Sequence, residues 1–325
     1  MIKICTKAGV AQLSLFEKSN FEYYEAYISG KENLPDLLNT KMRLFGIHMP
    51  ANVNVGDKIT PVDFCDDGQI GENSFKKLRE LIVFAENNDV KYIVVHPGFY
   101  NSITQKQEVV TIELARKFKK MLPPKVKICI ENVCCWTNIC FENEPILSSL
   151  EQISFFKKLC PEIGFVLDTD HLAIDIVFKE YYHLFKERYK GTKINDDIRK
   201  EMEEYIRTSV QEDPEKLKKI ISNELSIFMR EINPKVVHAV GSDFENYFLA
   251  GSRPLGGEGL PLNYKGKIRN FEILDKIDHL SWIKYLREDS IVTLELHIRD
   301  DYDYVETMEE NKKFIAESYR TASKN

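Results

Sequence analysis

The chain has 325 residues, 43% hydrophobic and 30% charged, with a net charge of −6. This length can bury a large core and falls in the range of a single α/β barrel. No window approaches the roughly 18 consecutive apolar residues of a membrane span, and the acidic balance argues against broad nonspecific attraction to nucleic acid.

The first residues, MIKICTKAGV, lack the long apolar core and small-residue cleavage site of a secretory signal, which leads to the expectation of a cytoplasmic protein. The first strand candidate, IKICT (2–6), lies within them. YYEAYI (23–28), RLFGIH (43–48) and YIVVH (92–96) follow, then VKICIE (126–131), GFVLD (164–168), KVVHAV (235–240) and IVTLEL (291–296). Amphipathic segments lie between them. SFKKLRELIVFAENN (74–88) carries Phe75, Leu78, Leu81 and Ile82 on one stripe, and TIELARKFKKML (111–122) runs into Pro123 and Pro124, which stop a helix. Eight β-rich runs alternating with helical patterns predict a (β/α)8 TIM barrel, with a doubly wound open sheet as the alternative.

The spacing is regular except between strands six and seven. Residues 169–234 hold several helical patterns, of which one is the ordinary return helix, so 179–212 is read as a helical insertion. It leaves the catalytic rim as a lid, a substrate wall or a dimer contact, the last leaving a homo-oligomer open. Without a repeat, low-complexity tract or Gly/Ser linker, residues 1–325 are read as one domain. Seven cysteines (Cys5, Cys65, Cys129, Cys134, Cys135, Cys140 and Cys160) make an odd number without paired CxxC spacing and are expected as free thiols in a reducing compartment.

His48, His96, Glu131, Asp168, His238 and Glu295 each lie at or near the C-terminal end of a different predicted strand. In a parallel barrel those ends open on one face, where such enzymes carry their chemistry. Packing gives no reason for apolar strands to end on carboxylates and imidazoles, since an unpaired buried charge costs several kcal/mol. A shared cation does. Mixed imidazole and carboxylate donors suit zinc, manganese, cobalt or iron better than calcium.

These residues and the segments around them carry a resemblance. VVHPG around His96, CIEN around Glu131, LDTDH from Asp168 to His171, VVHAVGSD around His238, GGEG at 256–259 and TLE ending in Glu295 resemble, in order, the motifs of the xylose isomerase-like barrels. That superfamily includes endonuclease IV and many sugar and sugar-phosphate isomerases and epimerases. The resemblance implies a divalent metal held by Glu131, Asp168, His238 and Glu295, with zinc or manganese foremost and cobalt, iron or magnesium as alternatives. In the endonuclease branch Glu131 would bridge to a second ion held by His48 and His96, giving one or two ions in all. His171 matches a third-metal ligand in that branch and a substrate-binding histidine in the epimerases. The chain departs from endonuclease IV upstream of the GGEG turn, where Gly251 and Arg253 stand in place of an Asp and a His; Asp243 or Glu245 would have to substitute.

Two activities follow. In the first, a sugar-like substrate is isomerised or epimerised through an enediolate. Glu131 and Glu295 move the proton as base and acid, His171 holds a hydroxyl, and Arg253 holds a phosphate or carboxylate. In the second, a two-metal centre hydrolyses a phosphodiester, such as an abasic site in DNA, and the partner is nucleic acid. Around the site, Phe99, Tyr100 and Trp136 are candidates to line the pocket. His297 and Asp170 share a strand face with Glu295 and Asp168, whereas His183 and His279 are expected at the surface.

Overall fold

The computed structural model describes residues 2–134, 143–189, 197–198, 200–201, 204–205, 208, 212–241, 259–262, 277–298 and 303–324; the side chains of 178–179, 181–187 and 214 are outside this set. The strands are β1 (Lys3–Ala8), β2 (Tyr23–Tyr27), β3 (Arg43–His48), β4 (Asn52–Val55), β5 (Lys58–Pro61), β6 (Tyr92–Val95), β7 (Phe99–Asn101), β8 (Lys127–Glu131), β9 (Asn143–Pro145), β10 (Gly164–Asp168), β11 (Val236–Ala239) and β12 (Ile291–Leu294). All eight predicted strands form, and they close into one parallel barrel in the order β1-β12-β11-β10-β8-β6-β3-β2.

The barrel wall sorts side chains by strand parity. Cys5, Tyr92, Val94, Cys129, Val166, Val236 and Ile291 point inward and pack with Phe45 as a separate apolar cluster inside the barrel. Alternate side chains of a strand share a face. Two residues further along, the same inward rows therefore present Lys7, His96, Glu131, Asp168, His238 and Thr293. β3 obeys this only after a correction: its pairing with β2 skips Phe45, since Tyr24 faces Leu44 and Glu25 faces Gly46. That bulge resets the parity, so that Gly46 and His48 face inward. Gly46 is required there, because a Cβ would lie 2.2 Å from the Tyr92 ring.

The helices are α1 (Gln69–Asn87), α2 (Gln107–Lys119), α3 (Leu150–Leu159), α4 (Thr169–Arg188), α5 (Pro214–Glu231), α6 (Leu280–Ile283) and α7 (Tyr304–Ala322). The predicted stripe of α1 is seated on the sheet, with Leu78 and Leu81 fully buried and Phe75 and Ile82 packed at its margin. After β1 and β2, 3-10 turns (Val10–Phe16 and Leu34–Leu38) replace the expected α-helices; Pro35 begins the second. α4 runs through residue 188, so the first part of 179–212 continues that helix, and most of the remainder lies outside the described residues. α5 is the return helix, capped by Asp213, which accepts from Lys216 N. It buries Leu217, Ile221, Leu225 and Phe228 at helical spacing.

Two short antiparallel pairs are additions that the strand pattern did not reveal: β4 with β5, and β7 with β9. The second pair lies just beyond His96 and Glu131. His96 itself is followed by a tight loop in which Gly98 has φ +107°, and a Cβ at that position would lie 2.2 Å from Asp63 Oδ1. Asp63 Oδ1 accepts from the amides of Cys65 (2.9 Å), Phe99 (3.2 Å) and Asp66 (3.3 Å). The carboxylate thus ties the β5–α1 loop to the loop that carries His96.

Burial pushes the Asp63 carboxyl up to about 6 against the pull of these amides, above the roughly 3.9 of an unfolded aspartate. A raised acid favours the folded state below the unfolded value and loses that contribution as pH rises through the folded one. Asp63→Asn keeps the acceptor and removes the charge. It should match or exceed the wild type in urea midpoint at pH 7.5, by up to about 2 kcal/mol, with the difference gone near pH 4. Asp63→Ala leaves three amides without their acceptor and should cost on the order of 2 kcal/mol at either pH.

Candidate metal centre

The mouth of the barrel collects its functional side chains from six strands. Glu131, at the end of β8, is fully buried and is the hub. Its Oε2 lies 2.9 Å from His48 Nε2 and 3.1 Å from His96 Nε2, and its Oε1 lies 3.1 Å from His238 Nδ1. His171 Nδ1 is 3.5 Å from the same Oε1. His238 Nδ1 also lies 3.3 Å from Glu295 Oε2 and 3.9 Å from Asp168 Oδ2. One ligand atom from each of Glu131, Asp168, His238 and Glu295 falls within 4.8 Å of all the others, and His48, Glu131 and His238 form a second such group.

Local chemistry fixes each of these residues. Asp168 ends β10 and begins α4, where its Oδ1 accepts from His171 N at 2.7 Å as a helix cap, which leaves Oδ2 toward the centre. Asn132 clamps the Asp168 backbone from both sides, its Nδ2 donating to Asp168 O (3.1 Å) and its Oδ1 accepting from Asp168 N (2.8 Å). Thr169 Oγ1 donates to Val240 O at 2.8 Å and so joins the ends of β10 and β11. The ring of His171 is held by the Asn132 carbonyl at 3.1 Å from Nδ1.

Donor chemistry gives a direct test of whether a cation fits. His48 Nδ1 lies 2.8 Å from Met49 O, which can only accept, so that nitrogen carries hydrogen. The opposite nitrogen then turns a lone pair toward Glu131 Oε2, also an acceptor, unless a proton or cation lies between them. Glu295 makes the same point: its buried Oε2 has no hydrogen bond. Lone pairs converging in a buried, acid-rich cluster are what a divalent ion satisfies, and the mixed imidazole and carboxylate set suits a transition metal or zinc.

The fields of these groups are strongly coupled. Burial opposes ionisation of Glu131, but His238 and His48 outweigh it and hold the carboxyl well below its usual range. Glu295 is likewise held down by Lys7 and His238 against burial. Asp168 goes the other way: burial pushes it up to about 7, His171 pulls it back, and Glu131 and Glu295 add to the rise. His238 resists burial because Glu25 and Glu131 flank it, and its pKa lies well above that of a free imidazole. Burial lowers His96 despite its contact with Glu131.

Seven residues singled out in the sequence, His48, His96, Glu131, Asp168, His171, His238 and Glu295, meet at this mouth. Arg253 lies outside the described residues, as do Gly251, Asp243, Glu245, Trp136, Cys135, Cys140 and the side chain of His183. Tyr100 packs in the β7–β9 pair and donates to Glu144 Oε2 at 2.7 Å. His297 packs against Gly259, where a Cβ would lie 2.4 Å from its ring. His279, expected at the surface, is buried, because its Nδ1 accepts from Trp282 Nε1 at 3.0 Å and both side chains are covered. Cys5, Cys65, Cys129 and Cys160 are free thiols, as expected.

Two charged residues of the centre escape a reading based on strand ends. Lys7, on β1, places Nζ 2.5 Å from Glu295 Oε1 while only 8% exposed. Glu25, in mid-β2, is fully buried beneath His238. The available signal was parity: Lys7 follows inward Cys5 by two positions, and Glu25 follows Tyr23 by two.

Comparison with known proteins places this centre in a fold context. No family model matches the sequence, and no curated protein matches it. The structure is a (β/α)8 barrel with a buried carboxylate and imidazole cluster at its C-terminal mouth, and over nearly its whole length it has the fold of the xylose isomerase-like barrels. It is similar to the IOLI protein solved with a binding zinc atom (TM-score 0.57, 14% identity, 98% of this chain and 99% of that one). It is also similar to a D-tagatose 3-epimerase-like protein (0.55, 12%, 99% of each chain), and to endonuclease IV from Thermus thermophilus (0.51, 13%, 98% and 99%). Among the described residues no helix is long and apolar enough to cross a membrane.

Because Glu25 and Glu131 raise the pKa of His238 well above that of a free imidazole, a divalent ion that reaches its ring nitrogen is expected to displace a proton. Calorimetric titration with zinc or manganese in two buffers of different ionisation enthalpy should report release of at least one proton per ion at pH 7. The affinity should rise with pH across the same range. Uptake without proton release would contradict the assignment of His238 as a ligand.

Proposed function

We propose that the chain is a divalent-metal-dependent enzyme that isomerises or epimerises a sugar or sugar-phosphate-like substrate. The observation that carries this reading is the approach of Glu131, Asp168, His238 and Glu295 to within 4.8 Å of one another in a largely buried mouth. These four would hold the ion. When bound, it supplies a Lewis acid that polarises a substrate carbonyl and favours the enediolate formed beside it.

The remaining chemistry belongs to the side chains. One carboxylate takes the proton from the carbon next to the carbonyl, its electron pair moves to the carbonyl oxygen, and a proton returned to the neighbouring carbon, or to the opposite face, completes the exchange. Glu295 has Oε1 engaged by Lys7 and Oε2 without a hydrogen bond, so Oε2 is the atom through which it would act. Glu131 stands across His238 from it and is the second proton carrier. His171, fixed by Asn132, holds a substrate hydroxyl, and Arg253 is the proposed anchor of a phosphate or carboxylate.

The second reading is a two-metal phosphodiester hydrolase acting on nucleic acid. It draws on the convergence of His48 and His96 on a single oxygen of Glu131, the arrangement a bridging carboxylate needs.

Metal quantification separates the two readings. For the isomerase, the purified protein should hold one tightly bound equivalent, lost in Glu295→Ala and kept in His48→Ala. Two equivalents, one dependent on His48, would favour the hydrolase. Incubation with a panel of ketoses in D2O should then give deuterium incorporation next to the carbonyl, reduced on the order of 10³-fold in Glu295→Ala. Cleavage of abasic DNA with no solvent exchange on any sugar would overturn the first reading.

A further inference from the structure

Glu25 has no part in the proton transfer just described, and its position is costly: a carboxylate with no exposure, inside the barrel and one layer below the ligands. Its surroundings explain it. Oε2 accepts from Tyr92 Oη at 2.8 Å and from Thr293 Oγ1 at 3.1 Å, which fixes the carboxylate from β6 and β12. Tyr92 crosses the barrel interior to do so, through the space left by Gly46. His238 also faces it, with Nε2 3.0 Å from Oε1 and 3.2 Å from Oε2.

We propose that Glu25 is a positioning residue that sets which nitrogen of His238 meets the metal: held by Tyr92 and Thr293, it takes the Nε2–H and turns Nδ1 up to the ion. The inference rests on the metal reading above and adds the ligand atom and the group that selects it. A half-turn of the ring about Cβ–Cγ would put Cδ2 where Nδ1 stands and Cε1 where Nε2 stands, so the contact with Glu25 decides whether a nitrogen faces the ion at all. With Nε2 on Glu25, Nδ1 faces Glu131 Oε1 and Glu295 Oε2, at 3.1 and 3.3 Å. A carboxylate behind a ligating imidazole fixes its orientation and raises its basicity, and losing such a partner typically costs 10- to 100-fold in metal affinity.

The test is zinc affinity, by competition with a chromogenic chelator, in the wild type and in Glu25→Gln, Glu25→Asp and Tyr92→Phe, with thermal unfolding measured on each ion-free protein. Glu25→Asp keeps the charge but withdraws it from Nε2, and so separates positioning from the field of the carboxylate. Glu25→Gln and Glu25→Asp should each bind zinc about 10- to 100-fold more weakly while still unfolding cooperatively. In the zinc-loaded wild type, 15N-resolved spectra of the histidine rings should show His238 with protonated Nε2 and metal-bound Nδ1. Affinity within threefold of wild type in both Glu25 variants, or a metal-bound Nε2, would overturn the proposal while leaving the metal site intact. A wild type that binds no zinc would overturn the metal reading and this one with it. If both Glu25 variants fail to fold, Tyr92→Phe, which leaves Glu25 and His238 in place but removes one of the two hydroxyls that fix the carboxylate, decides the matter: a severalfold loss supports the proposal and unchanged affinity refutes it.

Discussion

The arrangement depends on the need to neutralise carboxylates packed into a mouth that water barely reaches. Glu25, Glu131 and Asp168 are almost wholly covered and Glu295 is about a quarter exposed, while Lys7 and the imidazoles of His48, His96, His171 and His238 stand among them. An isolated buried charge costs several kcal/mol, and removing one member of such a set leaves its partners to bear that cost. Glu131 shows how tightly the set is linked: one carboxylate meets imidazoles from β3, β11 and the end of β6. Stability and chemistry therefore draw on the same groups, and the mouth is held together by the interactions a substrate or ion must partly replace.

Two rules of strand geometry deliver these groups, and they differ in how visible they are in a sequence. A parallel barrel opens its strand ends on one face, so a polar residue closing an apolar run is readable as a member of the site. His48, His96, Glu131, Asp168 and Glu295 are of this kind, and His171 follows from the turn into α4. Parity is the less visible rule. Lys7 and Glu25 lie within their strands, where a charged residue passes for the solvent side of an alternating pattern, and only the inward placement of Cys5 and Tyr23 reveals their direction. The bulge at Phe45 defeats simple alternation altogether, because counting by twos from Phe45 would turn His48 outward.

The departures elsewhere also have physical causes. Connections after β1 and β2 are completed by 3-10 turns, one of them opened by Pro35, so helical periodicity is weakest there. The β4–β5 and β7–β9 pairs are too short for alternation to register. His279 is an amphipathic side chain covered in part by Trp282, and nothing in the spacing of α6 announces that its Nδ1 accepts the indole hydrogen. Local patterns locate elements well; pairings between side chains distant in sequence belong to the closed barrel.

Lys7 bears on which chemistry the mouth favours. Its ammonium occupies Oε1 of Glu295 and keeps that carboxylate ionised, so Glu295 meets substrate or ion through Oε2 alone. A carboxylate that is ionised and single-ended is well suited to receive a proton and poorly suited to hold one in reserve. Glu131 is held ionised as well, but its neighbours are three imidazoles rather than an ammonium. In the proposed isomerase, this difference would leave Glu295 as the single-ended carboxylate and Glu131, backed by His48 and His96, as the one linked to a relay. On that reading His48 and His96 would serve Glu131 directly, through the two contacts they make with its Oε2.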